Sequence, residues 1–287
     1  MARIESIAIG GYYPTPPHIV DMIATWFDSS SNPTIMDPCA GEGAAVYKLR
    51  DVLAGRVAAV EMESTRYAIL EKKTKWADKV AHGDFFQLQA RGTGDILYLN
   101  PPYDMDKAFK RLEERFLVRA NPLLAKDGWL IYIIPYYALA ASAKTLASNY
   151  RNFECYRFPG DDWSSYKQIV LFAQKNGNSM LDAIMEDQIM GWAEDADTIP
   201  ELGMCPHDKI SIGKYRYNSI TTWDIIGADL TPVSDMDPWA GATGFQPPAD
   251  VHGMFHKEYP LASRPRAAHI SAALTAGIFN GVTVTSD

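Results

Sequence analysis

Asn100-Pro101-Pro102-Tyr103 is the segment of this 287-residue chain whose residue types could do chemistry on a nitrogen. An exocyclic amine on a heteroaromatic ring is a poor nucleophile, because its lone pair is delocalised into the ring. The side-chain oxygen of Asn100 and the backbone carbonyl of Pro101 are acceptors for the two N–H hydrogens of such an amine. Held by both, the nitrogen moves toward tetrahedral geometry and its lone pair can be aimed at a sulfonium methyl. The fixed φ of Pro101 and Pro102 keeps that backbone rigid. Tyr103 offers a ring on which a base removed from its helix can stack. In-line methyl transfer then needs position and electrostatics more than a strong base. Asn100, Pro101, Pro102 and Tyr103 are therefore the candidate catalytic residues, with Tyr103 also a candidate substrate contact.

A second segment, Asp37-Pro38-Cys39-Ala40-Gly41-Glu42-Gly43, has the composition of a cofactor loop. Gly41 and Gly43 lack Cβ atoms, so the backbone can turn sharply against a ligand at the start of a helix. A tight strand-to-helix turn is the plainer reading of the same glycines. The dinucleotide fingerprint G-x-G-x-x-G is absent, since Val46 stands at the third glycine position. S-Adenosylmethionine has no phosphate to cradle; it needs acceptors for its ammonium, donors for its carboxylate and an acid for its ribose hydroxyls. Asp37, and Glu61 at the end of the next strand, supply part of that set. No covalent thiol is required, which leaves Cys39 as a small loop residue.

The apolar runs before the two segments, 34–36 and 96–99, predict strands, so both loops should sit at the carboxyl edge of one parallel sheet. Pro16-Pro17 followed by Ile19, Ile23, Trp26 and Phe27 reads as a helix opened by proline and buried along one face. A helix from Gly43 carries Val46, Leu49, Val52 and Leu53 and stops near Gly55, and 56–61 is a strand ending in an acid. Helices over 64–76 and 106–125, a strand ending near Gly83 and another over 129–134 continue the alternation. This is an α/β, doubly wound and mainly parallel sheet of the Rossmann-like kind. Strand-like runs 153–158 and 168–173, joined by a loop over 160–166, predict a closing antiparallel pair. Beyond 177 the alternation is lost. Residues 1–177 read as a catalytic domain and 178–287 as an irregular module for target recognition or partner binding, with a helix near 179–192 and strand-like pieces such as 210–217 and 282–285.

The Asp-Pro-Cys-Ala-Gly-Glu-Gly loop, Gly11-Tyr12-Tyr13-Pro14-Thr15-Pro16-Pro17 upstream, His82-Gly83-Asp84-Phe85-Phe86 and Asn-Pro-Pro-Tyr resemble, in this order, the motifs of class I S-adenosylmethionine-dependent methyltransferases acting on DNA adenine N6. The similarity covers roughly residues 10–175, with the nearest likeness to bacterial members linked to mobile elements and phage defence. The resemblance implies S-adenosylmethionine as cofactor, S-adenosylhomocysteine as product, and DNA with a flipped adenine as partner. By resemblance Tyr13 and Thr15 close over the methionine end of the cofactor, Asp84 faces its adenine amino group, and Phe85 its ring. Pro38, Ala40, Gly41, Gly43 and Asn100 complete the expected cofactor contacts. A turn cap for Asp84 and a core aromatic for Phe85 are the structural alternatives. Tyr136, Trp163 and Tyr166 are candidate base contacts, or packing residues at sheet ends. Lys107, Lys110, Arg111, Arg115 and Arg119 could meet phosphates, although a solvated helix face is their ordinary role.

The net charge of −8 disfavours nucleic acid, which is bound through Lys and Arg. However, residues 181–208 hold eight acids and no Lys or Arg, leaving 27 charges of each sign in the remainder. Three cysteines without C-x-x-C suit a reducing compartment, no apolar run reaches the roughly 20 residues of a membrane span, and the N-terminus lacks a signal layout; a cytoplasmic protein is expected. Cys205, His207, His252 and His256 match no zinc framework, so no metal is expected. Other readings of Asn-Pro-Pro-Tyr are glutamine N5 methylation of proteins, RNA adenine methylation, or a noncatalytic scaffold. An additional defence or modification subunit is a further expectation.

Overall fold

A computed structural model of the chain describes residues 13–28, 32–104, 111–205, 209–212 and 220–225. Strands β1 (Thr34–Asp37), β2 (Arg56–Glu61), β3 (Lys79–His82), β5 (Gly94–Leu99), β6 (Leu124–Pro135), β7 (Tyr150–Arg157) and β8 (Gln168–Lys175) form one sheet in the order β3-β2-β1-β5-β6-β8-β7. Pairing is parallel from β3 to β6. β8 runs antiparallel to both β6 and β7, which is the expected closing pair. Between β3 and β5 lies β4 (Leu88–Arg91), which pairs antiparallel with β9 (Thr222–Ile225) in a separate two-stranded sheet.

Side chains alternate along each strand and bury two cores. One face carries Ile35, Val57, Ile96, Ile131 and Ile133 against α1 (Pro17–Ala24), α2 (Ala44–Leu53) and Leu70 of α3 (Ser64–Lys72). The other carries Met36, Val60, Leu97, Leu130 and Ile134 against α4 (Leu112–Ala120), α5 (Leu139–Asn149) and Ile189 of α7 (Ala183–Glu194). This is the expected doubly wound, mainly parallel α/β architecture. Ile19, Ile23, Trp26 and Phe27 are all buried, but α1 ends at Ala24, so the last two are buried from the turn that follows it and not from the helix.

Several element limits differ from the sequence reading for identifiable reasons. Val52 of α2 is 45% exposed, while Tyr47 and Arg50 turn inward, Arg50 to pair with Asp78 at 2.5 Å. α3 ends at Lys72, not 76, where the N–H groups of Lys73 and Thr74 tighten onto Leu70 and Glu71. The helix expected to reach 125 stops at Ala120, because a tight turn through Pro122 leads directly into β6 and Lys175 Nζ binds the carbonyls of Asn121 and Leu124. The loop expected over 160–166 is a short helix, α6 (Gly160–Tyr166), with Asp161 and Asp162 in its first turn and Lys167 left-handed at its end.

The chain divides into two compact units, 1–228 and 229–287, the first of which holds the sheet. Within it, Leu202 N–H donates to Arg157 O, Ile210 bridges Phe27, and Trp223 Nε1 donates to Ala59 O of β2 at 2.9 Å. The second unit, including the expected strand at 282–285, lies outside the described residues.

Because Trp223 is buried and hydrogen-bonded to the sheet, Trp223→Ala is expected to cost about 3–5 kcal/mol of unfolding free energy, measured by denaturant titration. Unchanged stability would detach residues 220–225 from this unit.

Candidate active site

β1 and β5 are neighbours at the point where strand order reverses, so the loops after them diverge around one crevice. Asp37 ends β1 and is 3% exposed, its Oδ1 accepting the Cys39 N–H at 3.0 Å. Gly41, at φ 57°, donates its N–H to Glu61 Oε2 at 2.8 Å, which ties the loop to the end of β2. Gly43, at φ 75°, caps α2, and a Cβ there would lie 2.5 Å from Leu70 Cδ1. Both glycines shape the loop without forming the cleft wall.

The cleft has a volume of about 880 Å³ including its mouth. Of the expected residues, Tyr13, Thr15, Asp37, Pro38, Ala40, Glu61, Asp84, Phe85, Asn100 and Pro102 line it. Pro101 is buried, and Tyr103 does not line the cleft but stacks on Tyr13, with ring centres 5.3 Å apart. Asp84 lines the cleft and is also the expected turn cap, accepting the Phe86 N–H at 2.9 Å. Phe85 likewise serves wall and core, stacked on Phe116 at 5.5 Å.

Asn100 has four hydrogen-bond partners. Its Nδ2 donates to Tyr13 O at 2.8 Å and Thr15 Oγ1 at 3.1 Å, and its Oδ1 accepts the Tyr103 hydroxyl at 2.6 Å. Its backbone carbonyl accepts the Cys39 thiol at 3.2 Å, linking the two loops directly. Burial, with Asp37 and Glu61 nearby, pushes the Cys39 thiol well above its ordinary value, so it remains a protonated donor.

Tyr166 meets the edge of Tyr13 at 6.2 Å, while Tyr136 packs on Trp163 at 5.7 Å. None of the three lines the cleft; Tyr166 extends the Tyr13–Tyr103 stack, and Tyr136 and Trp163 form a second aromatic pair. The α4 cations are engaged locally: Arg111 pairs with buried Glu113, Arg115 covers Phe86, and Arg119 donates to Leu88 O. Lys107, Lys110 and His207 lie outside the described residues, as do His252 and His256.

Four contributors were missed in the sequence. Met62, 66% exposed, places a thioether on the cleft wall beside Glu61, and only its position after a strand-ending acid marked it. Arg66 pairs with Glu61 at 2.9 Å from the first turns of α3. Tyr98 bonds Thr15 from within an apolar strand, at 2.5 Å. Gln168, the polar head of an apolar run, reaches the Tyr103 hydroxyl at 2.5 Å.

The wall suits a cationic, phosphate-free nucleoside. Glu61 is neutralised by Arg66 and two backbone N–H groups, whereas no Lys or Arg pairs with Asp37 among the described residues. Burial, reinforced by the Glu61 charge, pushes Asp37 up to about 7. A buried carboxyl with one backbone hydrogen bond and no cation beside it fits an ammonium, Glu61 stands where ribose hydroxyls would be bound, and Asp84, Phe85 and Met62 provide a polar and apolar seat for a purine. S-Adenosylmethionine meets those requirements.

Fold and site together define a class I, S-adenosylmethionine-dependent methyltransferase. The chain belongs to the uncharacterised methyltransferase family DUF6094, which it matches over residues 2–215. A Listeria monocytogenes structure described as a putative class I S-adenosylmethionine-dependent methyltransferase aligns at 13% identity and TM-score 0.52, over 66% of this chain and 76% of that one. A modification subunit of a putative type I restriction enzyme from Vibrio vulnificus aligns at 14% identity and TM-score 0.48, over 66% of this chain and 54% of the subunit. An RNA methyltransferase from Salinibacter ruber, in complex with S-adenosylhomocysteine, aligns at 13% identity and TM-score 0.42, over 59% and 98% of the two chains. At 13% identity the likeness to the Listeria protein is one of fold alone. Among curated proteins none matches the sequence. Among the described residues no helix is long and apolar enough to cross a membrane.

With no cation beside it, Asp37 contributes stability that is present below its ordinary value of 3.8 and lost as pH climbs to about 7. A bound ammonium favours the ionised carboxyl, so affinity for S-adenosylmethionine is expected to rise as pH passes upward through about 7. Calorimetric titration on either side of that value checks this. Asp37→Asn should remove that part of the rise, and an identical pH profile in the variant would contradict it.

Proposed function

We propose that the chain transfers the methyl group of S-adenosylmethionine to the exocyclic N6 amine of adenine in DNA. The observation that carries this reading is the fixed Asn100 carboxamide at the cleft wall, next to the stacked rings of Tyr13 and Tyr103. A planar heteroaromatic amine needs both an acceptor for its N–H and a surface for its ring, whereas a glutamine side chain needs only the first.

Asn100 Oδ1 has two lone pairs; the Tyr103 hydroxyl uses one, and the other remains to accept an amine N–H. That bond draws the nitrogen out of conjugation. S-Adenosylmethionine would supply the electrophilic methyl, its S–CH3 bond breaking as the N–CH3 bond forms, with S-adenosylhomocysteine as leaving group and the extra amine proton lost to water; Asp37 and Glu61, which line the cleft, would hold its ammonium and ribose ends. Pro101 and Pro102 hold the acceptors still, so little reorganisation accompanies the transfer. A target base would meet Tyr103, Tyr136, Trp163 and Tyr166 on the same side, displacing Tyr13 from its stack. Since three α4 guanidiniums are already engaged, contacts to DNA phosphates would come from elsewhere in the chain or from an additional subunit.

Incubation with S-adenosylmethionine and unmethylated DNA, RNA or translation-factor samples, followed by mass spectrometry of nucleosides and peptides, tests the substrate. N6-methyladenine in DNA is expected, and methylglutamine would overturn the reading in favour of a protein substrate. Asn100→Ala should lower transfer by about 10² or more while cofactor affinity persists. Asp37→Ala and Glu61→Ala should instead weaken cofactor binding. Equal loss of cofactor affinity in all three variants would remove this division of roles.

A further inference from the structure

Gln168 heads β8, is 2% exposed and does not line the cofactor cleft. Its Nε2 lies 2.5 Å from the Tyr103 hydroxyl, which in turn lies 2.6 Å from Asn100 Oδ1. A carboxamide nitrogen only donates, so the Tyr103 oxygen is the acceptor in the first bond. Its single proton is then free for Asn100 Oδ1, the Ile133 carbonyl being the more distant alternative at 3.4 Å. The group that receives this proton must be the carbonyl end of the Asn100 carboxamide. The amide end is thereby turned to Tyr13 O and Thr15 Oγ1, both of which accept.

We infer that Gln168 is a positioning residue for methyl transfer, acting through the Tyr103 hydroxyl to fix which end of the Asn100 carboxamide faces the target amine. The inference rests on the reading of Asn100 as the acceptor for that amine. A reversed carboxamide would present N–H to N–H and repel the substrate. Tyr103 thus has two jobs, a ring for stacking and a hydroxyl for relaying polarity, and only the second depends on Gln168. Burial favours the relay: it pushes the phenol well above its ordinary value, so the proton being directed stays on the oxygen.

The test is a double-mutant cycle between Gln168 and Tyr103. Gln168→Glu keeps the shape but replaces a donor with an acceptor, which draws the Tyr103 proton away from Asn100. Gln168→Met removes the donor without burying a charge and serves if the glutamate variant does not fold. Either change is expected to lower kcat about tenfold, the scale of one misdirected hydrogen bond, with cofactor affinity unchanged. Tyr103→Phe should lower kcat comparably, and adding Gln168→Met to it should lower kcat no further. Independent, multiplicative losses would overturn the relay.

A second readout needs no substrate. The Asn100 side-chain amide signal in a ¹⁵N correlation spectrum, assigned by its loss in Asn100→Ala, should shift in Gln168→Met. It should move no further when Gln168→Met is added to Tyr103→Phe. An Asn100 signal unmoved by Gln168→Met would overturn the inference whatever molecule is methylated. Failure to find N6-methyladenine with the unaltered protein would instead count against the DNA reading alone.

Discussion

Everything at the site depends on the parallel pairing of β1 with β5, Ile35 opposite Ile96 and Met36 opposite Leu97. From β1 the chain crosses to β2 and β3 on one side, and from β5 to β6 on the other. The crossovers lead away from each other and leave a crevice between two strand ends. Asp37 and Asn100 are the residues that stand there. The Cys39 thiol bonded to the Asn100 carbonyl fastens the loops together across that seam.

The carboxylates of the crevice are treated unequally, and the inequality organises the ligand. Glu61 is satisfied by Arg66 and by the N–H groups of Gly41 and Glu63, so it is both a structural hub and a charged acceptor. Asp37 has one backbone hydrogen bond and is otherwise desolvated, which makes its charged form costly until a cation arrives. Asn100 carries no charge and is immobilised by four partners, the arrangement required of an acceptor that must not reorganise.

The two chemical loops were legible because their residues have few other uses: glycines at positive φ, consecutive prolines, and acids at the ends of apolar runs. The sheet was legible from the alternation of apolar strands and amphipathic helices. What was not legible depends on distance. Thr222–Ile225 pairs with Leu88–Arg91, and nothing in either four-residue segment names the other. Gln168 looks like any polar residue at the start of a strand until Tyr103 is seen beside it. The same applies to Tyr98, whose hydroxyl matters only because Thr15 reaches it. Helix ends were misplaced where tertiary contacts outweighed local preference, as at Pro122, where Lys175 secures the turn into β6. Gly160–Tyr166 read as a loop because a glycine followed by six polar or aromatic residues shows no buried face, and as a helix it buries none.

The most direct measurement is an experimental structure of the chain in complex with S-adenosylhomocysteine. The expected density places the amino group on Asp37, the ribose hydroxyls on Glu61, the purine between Met62 and Phe85, and the sulfur on the Asn100 side of the cleft. A ligand bound outside this crevice, or turned so that its amino group lies away from Asp37, would contradict the assignment of the two loops to cofactor and target.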